Sequence, residues 1–510
     1  MNLTTDLDEL KEEIKAHAID CGLDFFDVVF ELLTFDQINQ VAALGGFPVR
    51  YPHWRFGMEY ERLSKSYTYG LSKIYEMVIN NDPCYAYLMQ SNPVGDQKLV
   101  MAHVYAHSDF FKNNCYFAHT SRKAIDEMAN HGARIRGFAE RHGHENVEDF
   151  LDCCLSIENL IDVHSTFIRR QEEARQHSPL MDEDEDEVLK VARIRSKDYM
   201  DRYVNPREFL EAKRKELEEE RNKKKRIPEE PTRDILQFLI NYAPLEKWQR
   251  DVLTIVRDEA YYFAPQGMTK IMNEGWATYW HSKMMTERLA TDQEIIDYAD
   301  HHSGTVAMPP GQINPYKIGV ELFRDIEERW NKGRHGTEWD RCDDFEKRRN
   351  WDTKANAGRE KIFEVRRIHN DVTFIDSFLT KEFCEEHRLF AFRYNRKTGV
   401  YEISSREFQE IKRQFLASLT NAGQPFIYVV DANHSNRGEL YLRHRYEGVE
   451  LKLDHARDTV RNVQRIWNRP VHIETVLGGK GRLISFDGSE HRETEIAVEV
   501  DEQYEQNDSL

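Results

Sequence analysis

The chain has 510 residues, with 71 Lys and Arg against 90 Asp and Glu (formal net charge −19), 40% hydrophobic residues, 25 Gly and 15 Pro. At ~150 residues per domain this length gives two to four domains and at least one large core, and the composition is that of a globular chain rather than a low-complexity or collagen-like one. A chain this acidic is repelled by phosphate backbones and anionic lipid, no stretch approaches the ~20 apolar residues of a membrane span, and the seven scattered cysteines contain no CxxC pair.

These features argue against nucleic-acid binding, membrane insertion, a disulfide framework and a thiolate zinc ribbon. The amphipathic start from Met1 to Asp20 lacks the apolar stretch of a secretion signal, so a cytoplasmic location is expected.

Residues 1–180 read as the first half of a helical domain. Apolar residues recur at three- and four-residue spacing, as in Leu23, Phe26, Val29, Phe30 and Leu33, which predicts packed amphipathic helices. Gly45-Gly46-Phe47-Pro48 and Asn92-Pro93-Val94-Gly95-Asp96 predict loops within that domain.

Residues 181–231 form a charged linker. An acidic run from Asp182 to Glu187 precedes Lys213-Arg214-Lys215 and Lys223-Lys224-Lys225-Arg226, which reads as a solvated charged helix rather than a docking patch, and Ile227-Pro228-Glu229-Glu230-Pro231 stops it. Helical spacing resumes over 232–370, the second half of the helical domain. Residues 371–490 predict a smaller α+β domain: a strand at Phe426–Val430, a turn at Asn436-Arg437-Gly438, a strand at Leu440–Leu442, a helix from Asp454 to Trp467, and strands at Val471–Val476 and Arg482–Phe486. The acidic tail 491–510 is expected to be disordered.

Two constellations carry chemistry. In His103-Val104-Tyr105-Ala106-His107 a four-residue separation puts both imidazoles on one helical face, where two neutral rings can share a metal ion. In Asn273-Glu274-Gly275-Trp276-Ala277-Thr278-Tyr279-Trp280-His281, Glu274 and His281 lie seven apart and nearly on one face. Gly275 costs about 1 kcal/mol inside a helix, which predicts close approach of another backbone beside Glu274. Together His103, His107 and Glu274 make the two-histidine, one-carboxylate set of catalytic zinc and of non-haem iron, with His281 as a fourth ligand or a supporting partner.

The order of these elements is similar to that of gluzincin-type zinc hydrolases, whose HExxH helix precedes a helix giving a glutamate. Here Val104 stands where the HExxH glutamate would be the general base. Asp109, Glu59 and Glu259 are the candidate substitutes, and Tyr316, in Asn314-Pro315-Tyr316-Lys317-Ile318-Gly319, either polarises a carbonyl oxygen or merely begins a helix. No GxSxG elbow occurs, and Gly478-Gly479-Lys480-Gly481 lacks the spacing of a phosphate loop.

Trp54-Arg55-Phe56-Gly57, Ser91-Asn92-Pro93, the segment HVYAHSDFFKNN from His103 to Asn114, and MNEGWATYWH from Met272 to His281 together resemble the stage V sporulation protein R (SpoVR) family. The resemblance covers nearly the whole chain. It implies a cytoplasmic protein linked in spore formers to the peptidoglycan of the spore cortex, and elsewhere to stationary-phase stress, working beside a PrkA-type serine protein kinase and a von Willebrand A-like protein. It brings no settled catalytic residues, so the site above rests on spacing and on the gluzincin analogy. The leading expectation is a zinc- or iron-dependent, hydrolase-like protein with a mainly α core, for which a zincin-like arrangement is one reading. The alternative is a non-enzymatic scaffold for the kinase and its partner.

Overall fold

A computed structural model describes residues 3–68, 76–168, 215, 227–309, 311–395 and 398–497. Most of the charged linker and the end of the chain lie outside these residues. The described chain is mainly helical, with a sheet-rich C-terminal region that includes one helix. It divides into two compact units, each discontinuous in sequence: Met1–Glu148 with Tyr261–Gln424, and Asp149–Ala260 with Pro425–Leu510.

The first unit opens with α1 (Thr5–Asp20), β1 (Val28–Leu33), α2 (Phe35–Ala43), α3 (Trp54–Thr68), β2 (Glu76–Ile79) and β3 (Cys84–Met89). The three strands form a small sheet in the order β1-β3-β2, with β1 parallel and β2 antiparallel to β3. This corrects the helical reading of Val29, Phe30 and Leu33. A short apolar run satisfies both periods, and Val28-Val29-Phe30 is rich in residues that suit a buried parallel strand.

Helix α4 (Val94–Asn113) begins directly after Pro93, so the predicted loop at Asn92–Asp96 is shorter than expected. Every residue of α4 from Val100 to Phe111 is buried. A helix apolar or buried on all sides is a core element, and α4 is the axis of the unit. It is followed by α5 (Ala124–His142); α6 (His144–Ser156), α7 (Ile235–Tyr242) and α8 (Lys247–Met268) then lie wholly or mostly in the second unit, and the chain returns to the first with α9 (Lys270–Met284). In α9 twelve of fifteen residues are buried, with Trp276 and Trp280 fully enclosed.

Helices α10 (Glu294–Thr305), α11 (Pro315–Asn331), α12 (Gly358–Ile368) and α13 (Asp371–Phe378) complete the packing around this pair. The backbone contact predicted at Gly275 is with α11: a Cβ on Gly275 would lie 2.4 Å from the Gly319 Cα. Two facing glycines let the axes of α9 and α11 approach more closely than any other residue pair would permit. A two-stranded hairpin, β4 (Ala391–Asn395) with β5 (Val400–Ser405), and α14 (Phe408–Leu419) end the unit.

In the second unit β6 (Ile427–His434) and β7 (Glu439–His444) are joined by a turn whose Ser435, Asn436 and Gly438 have positive φ. Helix α15 (Leu453–Trp467) crosses to β8 (Val471–Leu477), which pairs parallel to β7 and antiparallel to β9 (Lys480–Phe486). Val460, Val463 and Ile466 are the buried face of α15, at helical spacing. This is the α+β arrangement expected from the sequence, with one correction: His491–Glu495, read as disordered tail, is a fifth strand, β10, paired with β9. Its sequence HRETE has no apolar alternation, so it is ordered by backbone pairing at the sheet edge and not by burial.

Candidate metal centre

Helix α4 presents His103 and His107 one turn apart, both buried, toward the first half of α9. Glu274 Oε2 lies 3.6 Å from Nε2 of His103 and 3.6 Å from Nε2 of His107. One donor atom from each of the three residues falls within 4.8 Å of the other two, and no other group of this kind occurs among the described residues. The separations exceed a hydrogen bond and match the roughly 3.3 Å between ligand atoms that flank one tetrahedral ion at 2.0–2.1 Å. The same Glu274 oxygen is buried and accepts no hydrogen bond, a costly state for a carboxylate. These residues therefore fit a divalent ion. The carboxylate is 19% exposed, so it is also where the cluster meets solvent.

The far sides of both rings are held. His107 Nδ1 hydrogen-bonds the Asn273 side-chain oxygen at 2.9 Å. Because that oxygen can only accept, the ring proton sits on Nδ1 and the Nε2 lone pair faces Glu274. His103 Nδ1 meets His281 Nδ1 at 2.7 Å. If Nε2 of His103 is likewise a lone pair, its Nδ1 is the donor and His281 carries its own proton on Nε2. His281, read in the sequence as a fourth ligand or a supporting partner, thus meets His103 through Nδ1 and is not among the three residues whose donor atoms converge. Asn273 was not singled out in the sequence. The signal was its place directly before Glu274, within the same motif.

Three contacts fix the helices to each other. Thr269 supplies no side-chain cap to α9; instead Asp371, at the start of α13, accepts from the amides of Ile271 (2.8 Å) and Met272 (2.9 Å). A carboxylate there compensates the positive end of the helix, while burial pushes Asp371 up to about 7 despite the opposing pull of those amides. Asp109 ties α4 to α9 and α12: Oδ1 accepts from the Asp24 amide at 2.8 Å, and Oδ2 accepts from Trp276 Nε1 at 2.8 Å and faces Arg366 Nε at 3.5 Å. Burial raises it to about 6, with Arg366, the Asp24 amide and Trp276 pulling it back. The third contact is the Gly275–Gly319 crossing.

The four candidate catalytic groups separate accordingly. Asp109, read as a substitute base, has both oxygens engaged in this strut. Glu59 lies on α3 in a surface ion pair with Arg62 (Oε2 to Nε 2.9 Å), hydrogen bonding to that guanidinium holds its carboxyl below the usual range, and it is not among the residues brought to the cluster. Glu259 is buried on the part of α8 that belongs to the second unit and is not among the three residues whose donor atoms converge. Tyr316 does reach the cluster: its ring lies 6.4 Å from that of His103 and is tilted 30° to it. Asn314 caps α11 by accepting from the Tyr316 amide at 3.0 Å, so the segment both starts a helix and sets a tyrosine beside the site.

The fold and this cluster define a helical protein with a buried two-histidine, one-carboxylate constellation and a separate sheet domain. The family described as SpoVR like protein matches residues 2–424, and the one described as SpoVR-like C-terminal domain matches 425–478. The chain belongs to the SpoVR family. It is 32% identical over 480 residues to the uncharacterized protein YcgB of Escherichia coli (strain K12), covering 89% of this chain and 88% of that protein. No solved structure matches. No helix among the described residues is long and apolar enough to cross a membrane.

Proposed function

We propose that His103, His107 and Glu274 hold one zinc or iron ion and that the chain is a metal-dependent, hydrolase-like cytoplasmic protein acting on an amide-containing component of the cell envelope. The observation that carries this reading is the undonated Glu274 oxygen equidistant from two oriented imidazoles. A divalent ion held there would supply Lewis-acid polarisation of an amide carbonyl. Asn273 and His281 orient the two rings, Glu274 gives the solvent approach, and the Tyr316 hydroxyl would donate to the carbonyl oxygen. The envelope assignment, to peptidoglycan or the spore cortex, rests on the family alone.

Elemental analysis of untagged protein purified without chelator tests it. About one zinc or iron per chain is expected in wild type and none in His103→Ala or Glu274→Ala, with helical circular dichroism retained. Absence of stoichiometric metal in wild type after reconstitution would reject the centre.

One observation favours a second reading, a scaffold without catalysis: Val104 stands in place of the HExxH glutamate, and both oxygens of Asp109 accept hydrogen bonds from Asp24 and Trp276. In that case the protein would serve a PrkA-type serine kinase and a von Willebrand A-like partner. Pull-downs from stationary-phase cells separate the two. Partner capture that survives Glu274→Ala but is lost on deleting residues 425–510 supports the scaffold.

A further inference from the structure

Beside the histidine cluster, on the far side of His281, the surface of the first unit holds a cleft of about 570 Å³. This is within the size range of small-molecule sites. Its floor is formed by Tyr298 and His302 of α10, whose rings stack at 5.6 Å and stand edge-on to His281 at 6.2 and 5.8 Å. The Tyr298 hydroxyl and His302 Nδ1 are buried and make no hydrogen bond among the described residues. Two unsatisfied polar atoms under one cleft are costly to leave unpaired, and a polar occupant reached by a small ring rotation would satisfy them.

The rim is charged in a balanced way. Lys283 and Arg324 supply two cations; Glu287 and Glu327 supply two anions. Arg324 retains donors beyond its contacts to Glu321 at 3.3 Å and Ser282 Oγ at 3.2 Å, and Glu327 gives one oxygen to the Tyr279 hydroxyl. Burial and the adjacent Arg324 push His302 below its ordinary value, keeping the ring a neutral hydrogen-bonding group. Glu287 sits on a π-helical turn, Met285–Leu289, that widens the end of α9. Such turns recur at ligand sites because they re-aim side chains at the cost of helix regularity.

We propose that this cleft binds a small zwitterion of the amino-acid class, its carboxylate on Arg324 and Lys283, its ammonium on Glu287 and Glu327, over the Tyr298–His302 floor. A simple anion would meet the two glutamates and a simple cation the two basic groups, so only a ligand carrying both charges is matched. The site is separate from the metal reading and stands without it.

The test uses the full chain stripped of metal by chelator, titrated calorimetrically with glycine, L-alanine, L-glutamate and L-lysine, and with acetate and methylamine as single-charge controls. At least one amino acid is expected to bind at least tenfold more tightly than either control. Arg324→Ala and the exposed Glu287→Gln should each weaken it tenfold or more, and Tyr298→Phe several-fold, while Glu274→Ala leaves it within twofold. Equal binding of amino acids and controls, or wild-type affinity in both Arg324→Ala and Glu287→Gln, would overturn the proposal. Because the protein is metal-free throughout, failure of the metal centre and failure of the cleft give different results.

Discussion

Each unit of the protein contains a cluster of histidine and carboxylate, and the two are built on opposite principles. In the second unit His472 Nε2 meets Glu439 Oε2 at 2.9 Å and His472 Nδ1 meets Ser485 Oγ at 2.7 Å, while Arg437 Nε holds the other Glu439 oxygen at 2.9 Å. Every group there finds its partner within the cluster across neighbouring strands. In the first unit Glu274 stands off both histidines at 3.6 Å and takes no donor. Composition alone would rank these clusters equally. What separates them is satisfaction: a closed network stabilises a sheet, whereas a held-apart set has room for something between its members.

The comparison breaks most severely at the α9–α11 crossing. Gly275→Val puts a branched side chain where even a Cβ lies 2.4 Å from Gly319 Cα, so the unit should lose about 3 kcal/mol or more and the Glu274 geometry with it, read as a fall in thermal midpoint and in bound metal. The second unit has its own lever, in acid. Burial lowers His444 to about 4 from 6.5. The unfolded chain then binds the proton more readily, so this contribution is present above about pH 6.5 and lost as pH falls through 4; at 1.36 kcal/mol per unit it is on the order of 3 kcal/mol. Urea midpoints at pH 7 and pH 4 should converge in His444→Gln relative to wild type.

Smaller effects sharpen the contrast. Asn273→Ala removes the acceptor that orients His107 and should weaken metal binding 10–100-fold without unfolding the chain, measured by competition with a chromophoric chelator. His472→Ala should cost about 1 kcal/mol of stability in urea denaturation and leave metal content unchanged, since its bonds are purely local.

Local signals in the sequence carried far. The strands around Asn436-Arg437-Gly438 and the helix ending at Trp467 were legible because turn chemistry and period agree there. The i, i+4 histidines and the Glu274 and His281 pair were legible because helical spacing alone aligns them. Long-range pairings were not. Asp109 reads as a free acid until Asp24, Trp276 and Arg366 are brought to it, and β1 reads as helix because its five apolar residues fit two periods. Asn273 is marked only by its place before Glu274, and Tyr298 and His302 have no distinguishing pattern, as their roles exist only once helices far apart in the chain meet.

The cap on α9 has a consequence in time. Asp371 lies 100 residues beyond the Ile271 amide it receives. At roughly 5–20 residues per second of synthesis, the helix bearing Glu274 leaves the ribosome about 5–20 s before its cap exists. Nascent chains arrested before residue 371 would carry both histidines and the glutamate without the clamp that sets their spacing. The centre is thus assembled late in translation, only after most of the first unit has been made.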